Sequence, residues 1–211
     1  MKDNCVIIPV YNEPTQQVLK LKDEIQKYVS ADIAIAGREL SQEDIKLYSS
    51  NNIIVFNYVK GDLTSQVLET MKKVDSRYIA VIDSDFQHPP ELLPKMFYKI
   101  KSGYDIVVAK RRTYGMNGLR ILISKTLGFL SSVKVGYRTD VLSGYFVIDK
   151  EFVDYDKAFR NLGFKILLSI LKTGRYDVAE IEYDMRKRVA GKSKADTRNG
   201  IKLLKFIFLT K

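Results

Sequence analysis

Two aspartates one residue apart, Asp83 and Asp85, directly follow an apolar run in the segment YIAVIDSDFQHPPE. Carboxylates this close repel each other unless a positive charge lies between them. Mg²⁺ and Mn²⁺ take hard oxygen ligands and are commonly shared with substrate phosphates. Gln87 adds a neutral oxygen two residues further on. The segment therefore predicts a divalent-metal site that consists of Asp83, Asp85 and Gln87.

Two other interpretations of the acid pair follow from its residue types. Acids are common in turns and at helix starts, so Asp83 and Asp85 also suit a polar turn that leads into a helix. Aspartyl-nucleophile phosphatases carry Asp-x-Asp on their first strand with a threonine soon after, whereas here the pair comes late and Phe86 and Gln87 follow. His88, the only histidine, directly precedes two prolines. We expect it to support the loop through a backbone hydrogen bond rather than to act as a base.

The chain of 211 residues carries a formal net charge of +10, and its positive charge is concentrated in two stretches. Residues 106–139 contain seven Lys or Arg and no acid, and residues 186–211 contain nine with one acid. Such stretches suit nucleic acid, anionic lipid or a phosphorylated substrate. The basic runs have no interleaved aromatic platform for bases, which argues against nucleic acid. A single cysteine, no visible signal peptide and no apolar run near ~20 residues favour a reducing compartment without a membrane span.

The elements that must position the acid pair alternate between short apolar strands and amphipathic helices. Strands are predicted at 5–11, 32–37, 52–58, 77–83 and 105–111, and helices at 15–29, 41–50, 63–74 and from residue 89. This alternation predicts an α/β fold with a mostly parallel central sheet flanked by helices. Ligands of such sheets bind beyond the carboxyl ends of the strands. The segment PVYNE after the first strand and the acid pair after the fourth should therefore share a cleft.

The second half of the chain is less regular. It predicts a basic amphipathic helix at 117–132, a strand at 143–149, a helix at 163–174, a strand at 176–188 and a helix from about 196. No repeat or linker interrupts it. We expect one domain over residues 1–185, with a basic loop and C-terminal helix over 186–211 that pack on it or extend from it.

Two motifs carry a resemblance to a known family. VIIPVYNE on the first strand and VIDSDFQHPPE on the fourth resemble the inverting family-2 glycosyltransferases with the GT-A fold, in particular dolichol-phosphate mannose synthases and related polyprenyl-phosphate glycosyltransferases. Three later segments agree: DVLSGYFVI resembles the family's Asp-Pro-Thr-Ser-Gly-Phe segment, LGFKILLSIL its Gly-Phe-Lys helix, and RVAGKSK its Arg-x-x-Gly-x-Ser-Lys signature. The likeness covers nearly the whole chain. It implies transfer of a hexose, mannose foremost, from a nucleoside-diphosphate sugar to a polyprenyl (dolichyl) phosphate.

The resemblance also implies roles for particular residues on the donor side. Donor-binding positions come from both halves of the chain: Pro9, Tyr11, Glu13, Asp83, Ser84, Asp85, Arg188 and Lys194. Glu13 is expected near the ribose hydroxyls, Asp85 and Arg188 are the implied catalytic residues, and Asp83, Asp85 and Gln87 are the implied ligands of Mg²⁺ or Mn²⁺. Ordinary packing is the competing explanation for Tyr11, and a solvated basic loop is the competing explanation for residues 188–194.

On the acceptor side, the resemblance implies that Arg111, Arg120 and Ser124 hold the phosphate of the lipid. A phosphate is already an anion near neutral pH, so positioning rather than a general base would supply most of the catalysis. The helix at 117–132 suits either a membrane interface or a core-facing position. The apolar end IKLLKFIFLTK could dock on the domain, enter lipid or mediate a dimer. We expect a peripheral protein on the cytoplasmic face of a membrane, with a partner membrane subunit or a second copy of itself as possible partners.

The chain departs from the family pattern after its second strand. Relatives carry an Asp-Asp-Gly-Ser-type segment that helps to hold the base, whereas this chain reads IAIAGRELSQED, with Arg38 and Glu39 in that place. The third helix starts with KGDLTSQV where relatives are Gly-rich. The donor base therefore stays open between GDP-mannose and UDP-sugars. Two alternative functions also stay open: transfer to a soluble saccharide or protein acceptor, and a non-catalytic nucleotide-sugar-binding subunit.

Overall fold

The computed structural model describes residues 2–112, 133, 136–158, 163, 165–184 and 186. These residues form seven strands, five α-helices and two short 3₁₀ helices within the described ranges. In chain order they are β1 (Asn4–Val10), α1 (Thr15–Tyr28), β2 (Asp32–Arg38), α2 (Gln42–Ser50), β3 (Ile53–Tyr58), α3 (Leu63–Lys73), β4 (Tyr78–Val81), a 3₁₀ helix (Pro90–Leu92), α4 (Leu93–Lys101), β5 (Ile106–Arg112), β6 (Phe146–Asp149), a second 3₁₀ helix (Lys150–Phe152), α5 (Ile166–Leu171) and β7 (Val178–Asp184).

The strands form one sheet in the order β3-β2-β1-β4-β6-β5-β7. All neighbouring pairs are parallel except those of β6, which runs antiparallel to both β4 and β5. The predicted mostly parallel sheet is thus confirmed. From β1 the chain moves outward to β2 and β3, and it then returns to the other side of β1 to form β4. In open sheets, ligands bind in the crevice where the strand order reverses in this way, beyond the carboxyl ends.

The reversed direction of β6 decides what lies at that edge. Because β6 is antiparallel to β4 and β5, the residues that precede β6 lie beside the carboxyl ends of β4 and β5. The Ser143 hydroxyl donates to the carbonyl of Ala109 at 2.9 Å, and the amide of Ala109 donates to the carbonyl of Tyr145 at 3.0 Å. Residues 140–145 are therefore brought to the same edge as the acid pair.

The core forms two apolar layers, one on each face of the sheet. One layer packs the sheet against α3 and α5, and the other packs it against α1 and α4. Strand β1 is buried on both faces, since Ile7 belongs to the first layer and Val6 and Ile8 to the second. Strands covered on both sides read as continuous apolar runs, which explains the sequence CVIIPV. No helix in the described ranges has the length and apolarity that a bilayer-crossing segment requires.

Several predicted boundaries differ from those observed. Pro94 lacks an N–H and stands in the first turn of α4, so the helix expected from residue 89 opens as a 3₁₀ turn and becomes α-helical only at Leu93. The helix predicted at 163–174 covers 166–171, and the strand predicted at 176–188 ends at residue 184. The polar turn that the alternative interpretation expected also exists, since residues 83–88 lead into the 3₁₀ helix. The helices predicted at 117–132 and from 196 lie outside the described residues.

Candidate active site

The loop after β4 holds its two carboxylates through local backbone bonds. Asp85 accepts a hydrogen bond from the amide of Gln87 at 3.1 Å through Oδ1. Between them, Phe86 takes a φ of 60°, a left-handed conformation that costs a non-glycine residue roughly 1–2 kcal/mol. The amide of Asp83 donates a long bond of 3.5 Å to Nδ1 of His88, which is 6% exposed. The expected backbone bond of His88 is thus confirmed, and the bend at Phe86 sets the directions of the residues around it.

An aromatic group beneath the loop supports this bend. The ring of His88 stacks on Tyr145 with centroids 5.1 Å apart and planes 12° from parallel, and Tyr183 meets both rings edge-on. The Tyr145 hydroxyl donates to the carbonyl of Pro89 at 3.0 Å. Burial raises the pKa of Tyr145 well above its ordinary value, so the phenol stays a donor at physiological pH. The loop therefore packs on a buried aromatic group, which holds the acid pair in place relative to the sheet.

Gly144 faces Asp83 from the segment before β6. A Cβ atom at this position would lie 3.2 Å from Oδ2 of Asp83 and 3.7 Å from Cε1 of His88. The first distance is tighter than ordinary contact, so any larger side chain would press on the carboxylate. Glycine at this position thus leaves space beside Oδ2 of the carboxylate.

Basic side chains reach the same edge from β5 and from the segment before α5. Nε of Arg111 lies 3.9 Å from Oδ2 of Asp140. Burial lowers the pKa of Lys165, and Arg111 lowers it further, while Asp140 and Asp83 act in the opposite direction. Burial raises the pKa of Tyr183, with Arg111 opposing that rise and Asp140, Asp83 and Asp85 adding to it. β5 runs parallel to β4, so Arg111 lies at the same edge as the acid pair. Gly163, two residues before Lys165, is bonded to Asp62 and Thr64 at the start of α3, just beyond the carboxyl end of β3, which brings Lys165 to this edge as well.

The chain beyond β7 is also tied to the acid loop. The amide of Arg186 donates to the carbonyl of Gln87 at 3.1 Å, and Nε2 of Gln87 donates to the carbonyl of Arg186 at 3.4 Å. The Arg186 guanidinium forms an ion pair with Glu91. The second basic stretch of the sequence therefore begins directly at the acid loop. Arg188 and Lys194, which follow in that stretch, lie outside the described residues, as do Arg120 and Ser124.

The ends of β1 and β2 form the other half of the edge. Tyr11 is 44% exposed, and the guanidinium of Arg38 lies 5.1 Å from its ring centroid. The carboxylate of Glu13 accepts from the amides of Tyr11 at 2.5 Å and Asn12 at 3.1 Å, so it shapes this loop. Nε of Arg38 lies 3.5 Å from a carboxylate oxygen of Glu39. An exposed aromatic ring with a guanidinium over it can bind a planar base by stacking.

Pro9 and Ser84, two further predicted donor-binding residues, are buried. Pro9 lies within β1 beside Ala36 of β2, where packing accounts for it. Ser84 is 3% exposed, and its carbonyl accepts from Nε2 of Gln17 at 2.7 Å, which ties the acid loop to α1. Both residues therefore hold the edge in shape from below.

Sequence reasoning missed three residues at this edge: Lys165, Asp140 and Gly144. Lys165 belongs to the Gly-Phe-Lys segment, and the other two belong to DVLSGYFVI, so both signals were present in the sequence. Their convergence on the acid pair depends on the antiparallel direction of β6 and on the crossover through α5, and neither follows from local sequence.

The residues present fit a divalent cation shared with a ligand. Among the described residues there is no cluster of three or more His, Cys, Asp or Glu that would enclose a metal by itself. Mg²⁺ is usually held by one or two carboxylates together with waters and substrate phosphates, so two aspartates on one loop are a sufficient protein share. The space that Gly144 leaves beside the Asp83 carboxylate agrees with this. Asp83 and Asp85, with Gln87 beside them, are the oxygen donors available.

Comparison with known proteins shows the family of this chain. The family model described as Glycosyl transferase family 2 matches residues 36–166. The chain belongs to glycosyl transferase family 2. A dolichol-phosphate mannosyltransferase from Pyrococcus furiosus is 30% identical over 219 residues, which cover 96% of this chain and 62% of the relative. A dolichol-phosphate mannosyltransferase from Saccharomyces cerevisiae is 24% identical over 215 residues, which cover 90% of this chain and 79% of the relative. The chain thus spans less than two thirds of the length of the archaeal relative.

The fold agrees with solved structures of the GT-A type. Glucosyl-3-phosphoglycerate synthase from Mycobacterium tuberculosis, crystallised with Mn²⁺, uridine diphosphate and phosphoglyceric acid, superposes with a TM-score of 0.71. The match covers 97% of this chain and 75% of that structure at 14% sequence identity. At this identity the likeness shows the fold alone, and it confirms the expected GT-A architecture of this family-2 chain.

Proposed function

We propose that this chain transfers a hexose, mannose foremost, from a nucleoside-diphosphate sugar to a polyprenyl phosphate with inversion. One observation carries the proposal: the acid loop after β4 lies at the same sheet edge as Arg111, Lys165 and the start of the basic stretch at Arg186. Such an edge suits two phosphorylated substrates together. The names of the archaeal and yeast relatives support a dolichyl-type acceptor and mannose as the sugar.

On the donor side, the leaving nucleoside diphosphate gains negative charge as the bond from the sugar to phosphate breaks. Asp83 and Asp85, with Gln87, would hold Mg²⁺ or Mn²⁺, which supplies charge neutralisation at the diphosphate when it is bound. Basic side chains aimed at the same atoms stabilise that charge further. We assign this role to Arg188 and Lys194, because the chain reaches the acid loop two residues before Arg188. The base would lie against Tyr11 and Arg38.

On the acceptor side, an oxygen of the lipid phosphate forms the new bond to the anomeric carbon while the bond to the diphosphate breaks on the opposite face. The phosphate is already ionised, so the reaction needs no base to remove a proton. His88 is buried beneath the loop and bonded to the amide of Asp83, which suits support rather than proton transfer. Arg111, with Arg120 and Ser124, would orient the phosphate, and orientation then supplies most of the rate.

A lipid-linked acceptor implies work at a membrane surface. We propose a peripheral protein on the cytoplasmic face, where nucleotide sugars would meet the lipid phosphate, with a membrane subunit or a second copy as a partner. We also propose that residues 1–185 are the transferase domain and that residues 186–211 are a basic loop and C-terminal helix that pack on it or extend from it. The net charge of +10 supports attraction to anionic lipid.

The test is direct transfer by the purified chain. The protein is incubated with Mn²⁺, radiolabelled GDP-mannose or UDP-hexoses, and a short polyprenyl phosphate, and organic-soluble label is counted. Asp85→Asn should reduce transfer by at least about a hundredfold, because it removes a carboxylate from the charge-neutralising site. Asp23→Asn, an exposed position on α1, is the matched control and should not change transfer. Label only on a soluble saccharide, or full activity in Asp85→Asn, would contradict the proposal.

A further inference from the structure

Lys165 is a partly buried cation that forms no ion pair among the described residues, although Asp140 and Asp83 face it. Among the described residues, no carboxylate oxygen lies within 4.0 Å of its amine. Burial lowers its pKa, and the nearby guanidinium of Arg111 lowers it further. Lys110, one residue before Arg111 on β5, is paired with an acid instead. Its amine lies 2.9 Å from Glu180, and this hydrogen bond raises its pKa. Holding Lys165 beside an arginine costs stability, because burial and like charge both disfavour its ammonium form.

The fold nevertheless holds Lys165 firmly in that position. Two residues before it, Gly163 takes a φ of 69° and is fastened to the start of α3. The Gly163 amide donates to Oδ2 of Asp62 at 2.5 Å, and its carbonyl accepts from the amide and hydroxyl of Thr64 at 3.0 and 2.9 Å. Directly after Lys165, every residue of α5 is buried. The lysine is thus anchored on both sides, and the unusual helix start KGDLTSQV provides one of the anchors.

The partner of Arg111 is also a weak one. Its Nε lies 3.9 Å from Asp140, beyond hydrogen-bonding distance, so the guanidinium keeps the capacity to bind an anion bidentately. Two cations that are held near each other and are incompletely neutralised favour an anion that arrives with a substrate. A phosphate group between them would relieve their repulsion and satisfy both.

The order of the strands indicates which phosphate this is. Tyr11 and Arg38 lie at the ends of β1 and β2, the acid pair lies at the end of β4, and Arg111 lies at the end of β5, two strands beyond β4. Neighbouring strands are about 4.8 Å apart, so Arg111 is displaced by roughly 10 Å from the acid pair, away from Tyr11. A nucleotide with its base at Tyr11 and its diphosphate at the acid pair leaves the β5 end to the second substrate.

We propose that Lys165, together with Arg111, binds the phosphate of the acceptor, so that Lys165 is a further substrate-binding residue of this chain. The inference rests on the proposed function for the identity of the acceptor, but binding of a prenyl phosphate tests it without turnover. Asp62 and Thr64 then act as positioning residues, because they hold the loop that carries the lysine.

The experiment compares four proteins: wild type, Lys165→Met, Lys165→Arg and Lys20→Met. Lys165→Met keeps the length of the side chain and removes its charge, Lys165→Arg restores the charge, and Lys20→Met changes an exposed lysine of α1 as the matched control. Calorimetry measures the affinity for citronellyl phosphate, for inorganic phosphate and for GDP and UDP. Loss of one charge-assisted hydrogen bond predicts about tenfold to hundredfold weaker binding of citronellyl phosphate to Lys165→Met. Partial recovery is expected in Lys165→Arg, and unchanged GDP and UDP affinity in all four proteins.

A second measurement uses the wild-type protein alone and so does not depend on how a variant folds. Lysine-selective NMR follows the Lys165 amine as citronellyl phosphate is added. Its pKa should rise on binding, since the new anion opposes the effects of burial and Arg111. Asp140 and Asp83 also face Lys165, and Tyr183 faces Arg111.

The outcomes separate the inference from the proposed function. An unchanged Lys165 pKa with citronellyl phosphate, or loss of GDP or UDP affinity instead of prenyl phosphate affinity in Lys165→Met, overturns the inference. A further outcome is that inorganic phosphate and citronellyl phosphate bind with equal affinity and with the same dependence on Lys165. That result supports a phosphate site at Lys165 and means that the prenyl chain is bound elsewhere. If Lys165-dependent binding is found but the wild type transfers no sugar, the inference stands and the proposed function fails. If Lys165→Met transfers sugar with an unchanged acceptor KM, the proposed function stands and the inference fails.

Discussion

Gly144 offers a substitution whose effect on the acid pair follows from the structure. In Gly144→Ala the new methyl group would lie 3.2 Å from Oδ2 of Asp83 and 3.7 Å from Cε1 of His88. The contact with His88 is of ordinary length, so the crowding falls on the carboxylate of Asp83. The Asp83 carboxylate must therefore move by a few tenths of an ångström. The backbone of Gly144 is outside the left-handed region, so alanine adds no conformational strain of its own.

The size of the effect follows from the sensitivity of catalysis to position. A misplacement of about 1 Å costs about a hundredfold in rate, so a shift of roughly 0.3 Å should cost about fourfold in kcat/KM. This corresponds to roughly 0.8 kcal/mol of transition-state stabilisation. Binding of Mn²⁺ in the presence of nucleotide should weaken by a similar factor, since the same carboxylate is displaced. The free energy of unfolding should change little, because replacing glycine also reduces the entropy of the unfolded chain.

The assay is Mn²⁺ binding followed by electron paramagnetic resonance, together with steady-state transfer of sugar. Gly174→Ala is the matched control, since the nearest atoms to a Cβ there belong to the Tyr176 side chain at an ordinary 3.8 Å. It should retain wild-type Mn²⁺ affinity and kcat/KM. Equal Mn²⁺ affinity and kcat/KM in Gly144→Ala and wild type, with the fold intact, would refute the assignment of Asp83 to the metal and diphosphate. An equal loss in both variants would mean that the effect is not specific to Asp83.

Three further predictions concern base binding, loop support and the single thiol. Arg38→Met should weaken GDP or UDP binding about twofold to fivefold, because it removes an exposed cation–π contact with Tyr11. Pyrophosphate binding should stay unchanged in a competition assay. An equal loss of pyrophosphate affinity would contradict a role of Arg38 at the base. Tyr145→Phe should lower the free energy of unfolding by about 1–2 kcal/mol in urea denaturation, because the buried carbonyl of Pro89 loses its donor; unchanged stability would mean that water replaces that donor. Burial raises the pKa of Cys5 to about 12, so a thiol reagent at pH 8 should label it only after unfolding, and labelling of the native protein would contradict its burial. Its unfolded pKa is about 8.5, so its contribution to stability is complete below that pH and falls as pH rises towards 12, a loss that Cys5→Ala should lack.

Much of the fold could be predicted because its signals are local. The apolar runs at β1, β2 and β4 are short and bounded by polar residues, and the helices between them show a helical period. The predicted backbone bond of His88 was confirmed at atomic detail, and α2 begins at a serine cap, where Ser41 accepts from the amide of Asp44 at 3.0 Å. These features depend on residues within a few positions of one another, so one sequence is enough to show them.

The site was predicted in part for a similar reason. Parallel strands place their carboxyl ends at one edge, so a strand pattern alone brings Tyr11 and the acid pair to the same edge. Pro9 and Ser84 stay predictions as donor-binding residues, and the structure buries both of them. Burial depends on what packs above a residue, and that information is not local.

The sequence by itself determined the α/β class, the oxygen-rich loop after β4 and the family to which the chain belongs, because each of these is written in short, contiguous segments. Only the tertiary structure decided which residues surround that loop. The antiparallel direction of β6 turns Asp140 and Gly144 towards Asp83, and the bonds from Asp62 and Thr64 to Gly163 hold Lys165 near Arg111. These partners are 54 to 101 positions apart along the chain, so they meet only after hydrophobic burial has closed the sheet between its two helical layers.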